Sequence, residues 1–140
     1  MTYAKQDADK GADVGGPGHG FIDVFDTDGH LLRRFVEHGV LNSPWGLARA
    51  PYSFGRFSGD ILLGNFKDGR INAFDSQGNF KGSLGGRGGH AIIIDALWAL
   101  EFGGGAKSSP EQLFFTAGPD DETSGLFGVI NAVRGMHRNH

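Results

Sequence analysis

Ile61-Leu62-Leu63-Gly64-Asn65-Phe66-Lys67-Asp68, followed after Gly69 by Arg70-Ile71-Asn72-Ala73-Phe74-Asp75, is the stretch that decides the fold. An apolar run ends at an Asp-bearing loop, and a second apolar run follows it. Both runs are short and bounded by Gly, Asp or Asn, which is how strands rather than helices are punctuated. The same arrangement occurs at Thr2-Tyr3-Ala4-Lys5-Gln6-Asp7 with Gly20-Phe21-Ile22-Asp23-Val24-Phe25-Asp26. It occurs again at Leu113-Phe114-Phe115-Thr116-Ala117-Gly118-Pro119-Asp120 with Gly125-Leu126-Phe127-Gly128-Val129-Ile130. Copies of short strands spaced by roughly 50 to 60 residues predict propeller blades or a β-array. The repeat also fixes which loops share a face, and so which polar side chains could converge.

Outward from that stretch the punctuation continues. Phe21 to Asp26 alternates, and Asp26-Thr27-Asp28-Gly29 is predicted to turn the chain into a partner strand over His30 to Glu37. Asp and Gly suit such a turn because both tolerate the backbone it needs. The hairpin recurs as Ile71 to Asp75, the turn Ser76-Gln77-Gly78, and Asn79 to Leu84. Between hairpins, Pro44-Trp45-Gly46-Leu47-Ala48 and Leu97-Trp98-Ala99-Leu100-Glu101-Phe102 align at Trp45 with Trp98 and Leu47 with Leu100. Small residues beside Trp suit an inner strand, where backbones crowd together. Ala91 to Phe102 is the strongest helical candidate, but its β-branched Ile run and Gly-rich flanks read as a loop and a strand.

With strands named A to D outward in each blade, the chain reads B-C-D, A-B-C-D, A-B-C. The expectation is an all-β partial β-propeller of about two and a half four-stranded antiparallel blades. One domain covers residues 1–133, with blades near 1–37, 43–84 and 96–133, and 134–140 form a tail. Natural propellers close with about 4–8 blades. The chain is therefore expected to associate with itself or with missing blades.

The 140 residues suffice for one domain with a core. The net charge of −3 is spread thinly, and Arg33-Arg34 is the densest basic spot, so no basic stripe marks a nucleic-acid partner. No run approaches the ~20 apolar residues of a membrane-spanning helix. Cysteine is absent, which excludes disulfides. No positively charged segment leads into an apolar one at the start, so the chain as given is expected in the cytoplasm.

Four strings together carry a resemblance: Ser43 to Ala48, Leu63 to Asp75, Leu97 to Gly103 and Leu113 to Asp120. They resemble a bacterial family of conserved hypothetical proteins with an NHL-like six-bladed propeller, of which this chain looks like the C-terminal part. Lys67 stands where that family more usually has Gly. The resemblance implies the fold, implies no defined activity, and implies that full-length members are often exported. A more distant similarity is to gluconolactonase-like six-bladed hydrolases. There, by analogy of fold alone, Glu, Asn and Asp side chains hold a divalent cation that polarises a lactone carbonyl.

In a propeller the B–C and D–A loops emerge on one face. The B–C loops carry Lys5, Asp7, Asp9, His19, Asn65, Asp68, Asp120 and Asp121, and the D–A loops carry His38, Asn42, His90 and Asp95. Oxygen ligands such as Asn65, Asp68, Asp95, Asp120 and Asp121 suit Ca²⁺ or another divalent cation. Asp and Asn at strand ends are also ordinary turn formers. Asn65 is the exception, because it closes an apolar strand where no turn former is required. Asp120-Asp121-Glu122 reads as either a carboxylate pair or a solvated turn.

His38 and His90 occupy corresponding loops and are the two histidines placed to move protons. Trp45 and Trp98, with Asn42, could line a ligand channel, and core packing is the plainer role for the indoles. Gly85-Gly86-Arg87-Gly88-Gly89 lacks the string of a phosphate loop, and no Gly-x-Ser-x-Gly elbow occurs. The expected function is a ligand- or protein-binding scaffold. The alternative is a metal-assisted hydrolase of lactones or esters.

Overall fold

The computed structural model describes residues 1–3, 18, 20–37, 39–52, 54–86, 90–103, 112–118 and 125–131. These residues form ten strands in three antiparallel sheets, with one single-turn 3₁₀ helix at Gly55–Phe57. The first sheet holds β1 (Thr2–Tyr3), β2 (Phe21–Phe25) and β3 (Leu31–Glu37). The second holds β4 (Pro44–Arg49), β5 (Ile61–Asn65), β6 (Ile71–Phe74) and β7 (Phe80–Ser83) in chain order. The third holds β8 (Leu97–Phe102), β9 (Gln112–Ala117) and β10 (Leu126–Asn131). The protein is all-β, and no described helix is long and apolar enough to cross a membrane.

The hairpin turns explain themselves residue by residue. The Asp26 carboxylate accepts hydrogen bonds from the backbone N–H groups of Asp28 and His30, each at 2.9 Å. Asp75 does the same for Gln77 and Asn79, again at 2.9 Å each. Gly29 (φ 85°) and Gly78 (φ 88°) supply the left-handed residue that closes each turn. A second repeated device precedes the first strands of the second and third sheets. Among the described residues, Ser43 and Ala96, with φ of 53° and 54°, are the two non-glycine residues in the left-handed region. The Ser43 carbonyl accepts from Phe66 N at 2.9 Å, and the Ala96 carbonyl accepts from Gly118 N at 2.9 Å.

Burial follows from where the second sheet lies. Every residue of β6 is buried, so the usual in-out alternation is replaced by two buried faces. On one face Leu62, Ile71, Ala73 and Leu84 form a core with Leu97, Leu100 and Leu113 of the third sheet. The 3₁₀ turn closes this core with Phe54 and Phe57. On the other face Leu63 and Phe74 pack with Ile22 and Leu41. Each such side chain contributes roughly 1.5–3 kcal/mol by leaving water.

The second and third sheets approach closely because glycine permits it. A Cβ on Gly46 would lie 2.6 Å from the Trp98 carbonyl oxygen and 2.9 Å from Leu100 N. One on Gly64 would lie 2.8 Å from Leu97 Cδ2. The turn of the second hairpin leans on β3, where Arg33 donates to the Ser76 carbonyl at 2.9 Å.

Candidate functional site

Polar side chains meet where the loop joining β3 to β4 packs against the loop joining β5 to β6. Asn65 ends β5 and is fully buried. Its Oδ1 accepts from Asn42 N at 3.1 Å, and its Nδ2 donates to the Val40 carbonyl at 2.9 Å. The same Nδ2 lies 3.5 Å from Asp68 Oδ2. Backbone bonds reinforce the junction, with Phe66 N donating to the Ser43 carbonyl and Gly69 N to the Asn65 carbonyl at 3.0 Å. Asp68 Oδ1 accepts from Arg70 N at 3.0 Å, which shapes its own loop. Asn65 thus ties two loops together, which is the physical reason an amide closes an otherwise apolar strand.

The segment before β8 docks on the same loop. Ile94 N donates to the Gly69 carbonyl at 2.9 Å, and a Cβ on Gly69 would collide with the Ile94 carbonyl. Asp95 follows and is exposed, as is His90, whose carbonyl accepts from Gly86 N at 2.8 Å. The structure therefore brings Asn42, Asn65 and Asp68 together, and places Asp95 beside that loop with its side chain in solvent. His38, Asp120 and Asp121 lie outside the described residues, as do Lys5, Asp7, Asp9 and His19.

The indoles take different settings. Trp45 is 51% exposed and leans on Phe66, with ring centroids 5.8 Å apart. Lys67 Nζ lies 5.0 Å from the centre of that Phe66 ring, within cation–π range. Trp98 is half-buried and covers Gly118, where a Cβ would strike its ring.

Among the described residues, one trio of carboxylate and imidazole groups clusters within 4.8 Å: Asp26, Asp28 and His30. These residues form the first hairpin turn. The His30 backbone N–H holds the Asp26 carboxyl below the ordinary 3.8 against an opposing desolvation, with the N–H groups of Asp28 and Gly29 and the His30 ring adding to the lowering. Asn79 does the same for Asp75.

A cavity of about 310 Å³ opens next to the Asn65 junction, lined in part by Val40, Asn42, Asp68, Arg70, Asn72 and Ser83. Asn72 is 1% exposed, and its Oδ1 accepts from Ser83 Oγ at 2.6 Å. Its Nδ2 has no partner. Sequence reasoning passed over Asn72, Arg70 and Ser83. The signal was there in Ile71-Asn72-Ala73-Phe74, a polar residue inside the apolar strand of a middle hairpin.

Comparison with known proteins places the chain beside viral sequences. It is 38% identical over 131 residues to the uncharacterized protein R648 of Acanthamoeba polyphaga mimivirus, covering 93% of this chain and 32% of that protein. It is 40% identical over 114 residues to the uncharacterized protein L690 of the same virus, covering 81% of this chain and 30% of that one. It is 33% identical over 132 residues to the uncharacterized protein R640, also of that virus, covering 94% of this chain and 24% of the relative. No protein-family model matches the chain. No solved structure matches it.

These findings overturn the resemblance to a bacterial NHL-like family, since the relatives found are viral and no model of that family matches. The strings that carried it, rich in Gly, Trp and Leu at strand starts, are what close-packed short strands require on physical grounds. The chain is similar to uncharacterized mimivirus proteins, of which it spans a third or less.

Proposed function

We propose that the three sheets are successive blades of a partial β-propeller, and that the chain serves as a binding scaffold for a ligand or a protein. The blade reading is supported by the sheets following one another in chain order and by the glycine-permitted approach of β4 to β8. The single observation that carries the function is the Asn65 junction. Its amide holds Val40 and Asn42 in place, so the two loops form a fixed rim beside a cavity. Preorganised loops bind without a large ordering cost.

The test is a panel of lactones and short esters assayed with and without EDTA. A scaffold gives no chelator-sensitive turnover. Turnover lost in EDTA would sink this reading in favour of a metal-assisted hydrolase using Asn65, Asp68 and a divalent cation.

The outer strand of the third sheet supports association as part of this reading. Leu126, Phe127 and Val129 of β10 are all exposed, and exposed apolar strand edges promote pairing. Light scattering should therefore show concentration-dependent association.

A further inference from the structure

We infer that the cavity beside Asn72 binds a neutral polyhydroxylated ligand of about one hexose. This deepens the scaffold reading and rests on it. Asn72 lines the cavity and is almost wholly buried, yet its Nδ2 has no hydrogen-bond partner. A buried amide nitrogen without a partner is uncommon, because its desolvation is not offset by a bond. Its neighbour Ser83 turns a rotatable hydroxyl toward the other amide atom at 2.6 Å. Since Ser83 can donate or accept, either orientation of the amide leaves one atom without a partner in a residue that lines the cavity. A ligand hydroxyl also donates and accepts, so it satisfies Asn72 in both orientations.

Charge narrows the class. Among the described residues the wall carries one carboxylate, Asp68, and one guanidinium, Arg70, which cancel. A small anion would face Asp68 and a small cation would face Arg70. Vicinal hydroxyls suit both, donating to the carboxylate and accepting from the guanidinium. The volume of about 310 Å³ is at the small end of ligand pockets, which run about 300–1,000 Å³, and so holds about one sugar ring.

The experiment is calorimetric titration of the full chain with D-glucose, D-galactose, D-mannose and myo-inositol, with sodium acetate as a charged control, all in EDTA. Saturable binding of at least one polyol and none of acetate is expected. Asn72→Leu should weaken that binding about tenfold, the effect of losing one net hydrogen bond. Arg70→Ala, an exposed site, should weaken it several-fold and keeps the test open if Asn72→Leu fails to fold in a thermal melt. No saturable polyol binding overturns the inference. So does polyol binding that Arg70→Ala and a folded Asn72→Leu both leave unchanged, or acetate binding in the polyols' place. Chelator-sensitive lactone turnover alone would overturn the scaffold reading instead, and because the titrations are run in EDTA the two failures are told apart.

Discussion

Asn65 and Asn72 lie on neighbouring strands, both buried, and they differ in one respect that decides their energetics. Asn65 has both ends of its amide engaged by Asn42 and Val40, whereas Asn72 has one end engaged by Ser83. Asn65→Leu would strand a backbone N–H and a backbone carbonyl at the loop junction. It should cost about 2–4 kcal/mol, read as a lower urea midpoint at unchanged slope. Asn72→Leu removes an unpaired buried donor and leaves a half-buried hydroxyl that water can reach. Its stability should stay within about 1 kcal/mol of the parent in the same urea experiment. The sequence marks Asn65 as an exception at the end of an apolar strand. The amide's actual partners are backbone groups 23 and 25 residues away, and a pairing between separate loops leaves no trace in local sequence.

At the scale of elements, the hairpins were the most legible part of the chain. Asp at the start and Gly at the end of each turn act through local bonds, and local chemistry can be read from local sequence. The two carboxylates should titrate below the ordinary 3.8 when followed by carboxyl-carbon NMR, each because of the N–H donors of its own turn. A carboxyl whose folded value is depressed contributes stability that is fully present above its unfolded value. The hairpin contribution should therefore be intact above about pH 5 and be lost as the pH falls through and below 3.8. Asp75→Asn should blunt the acid-side loss. A titration of Asp26 and Asp75 at or above 3.8 would contradict the turn geometry. The sheet contact at Gly46 is the other element-level test. Gly46→Ala places a methyl group against the β8 backbone, and should destabilise the chain by about 1–3 kcal/mol in urea.

On the scale of the whole molecule, the middle sheet is flanked unequally. The core it shares with the third sheet includes Leu62, Ile71, Ala73, Leu97, Leu100 and Leu113, while the one shared with the first is Ile22, Leu41, Leu63 and Phe74. Less buried apolar area means a lower local opening energy. Amide hydrogen exchange should therefore release β2 and β3 before β5 and β6. Simultaneous exchange of both pairs would show that the chain opens as one unit. The sequence foretold short strands and repeated hairpins, but not that β6 would be buried on both faces. That burial depends on which sheets stack, and stacking is set by contacts between distant residues. The same limit explains why the family resemblance misled: residues suited to tight packing recur wherever strands are tightly packed.

The double burial of β6 has one more consequence. With both faces covered by apolar side chains, a strand has little to choose its alignment by, since sliding it one residue exchanges one set of hydrophobes for another. Asn72 breaks that degeneracy. Shifted by one place, its amide would be driven among the leucines shared with the third sheet, far from Ser83, while Ile71 or Ala73 would take its position at the cavity. A lone polar residue in a strand with two apolar faces thus works as an alignment mark, penalising every odd-numbered slip of β6 during folding.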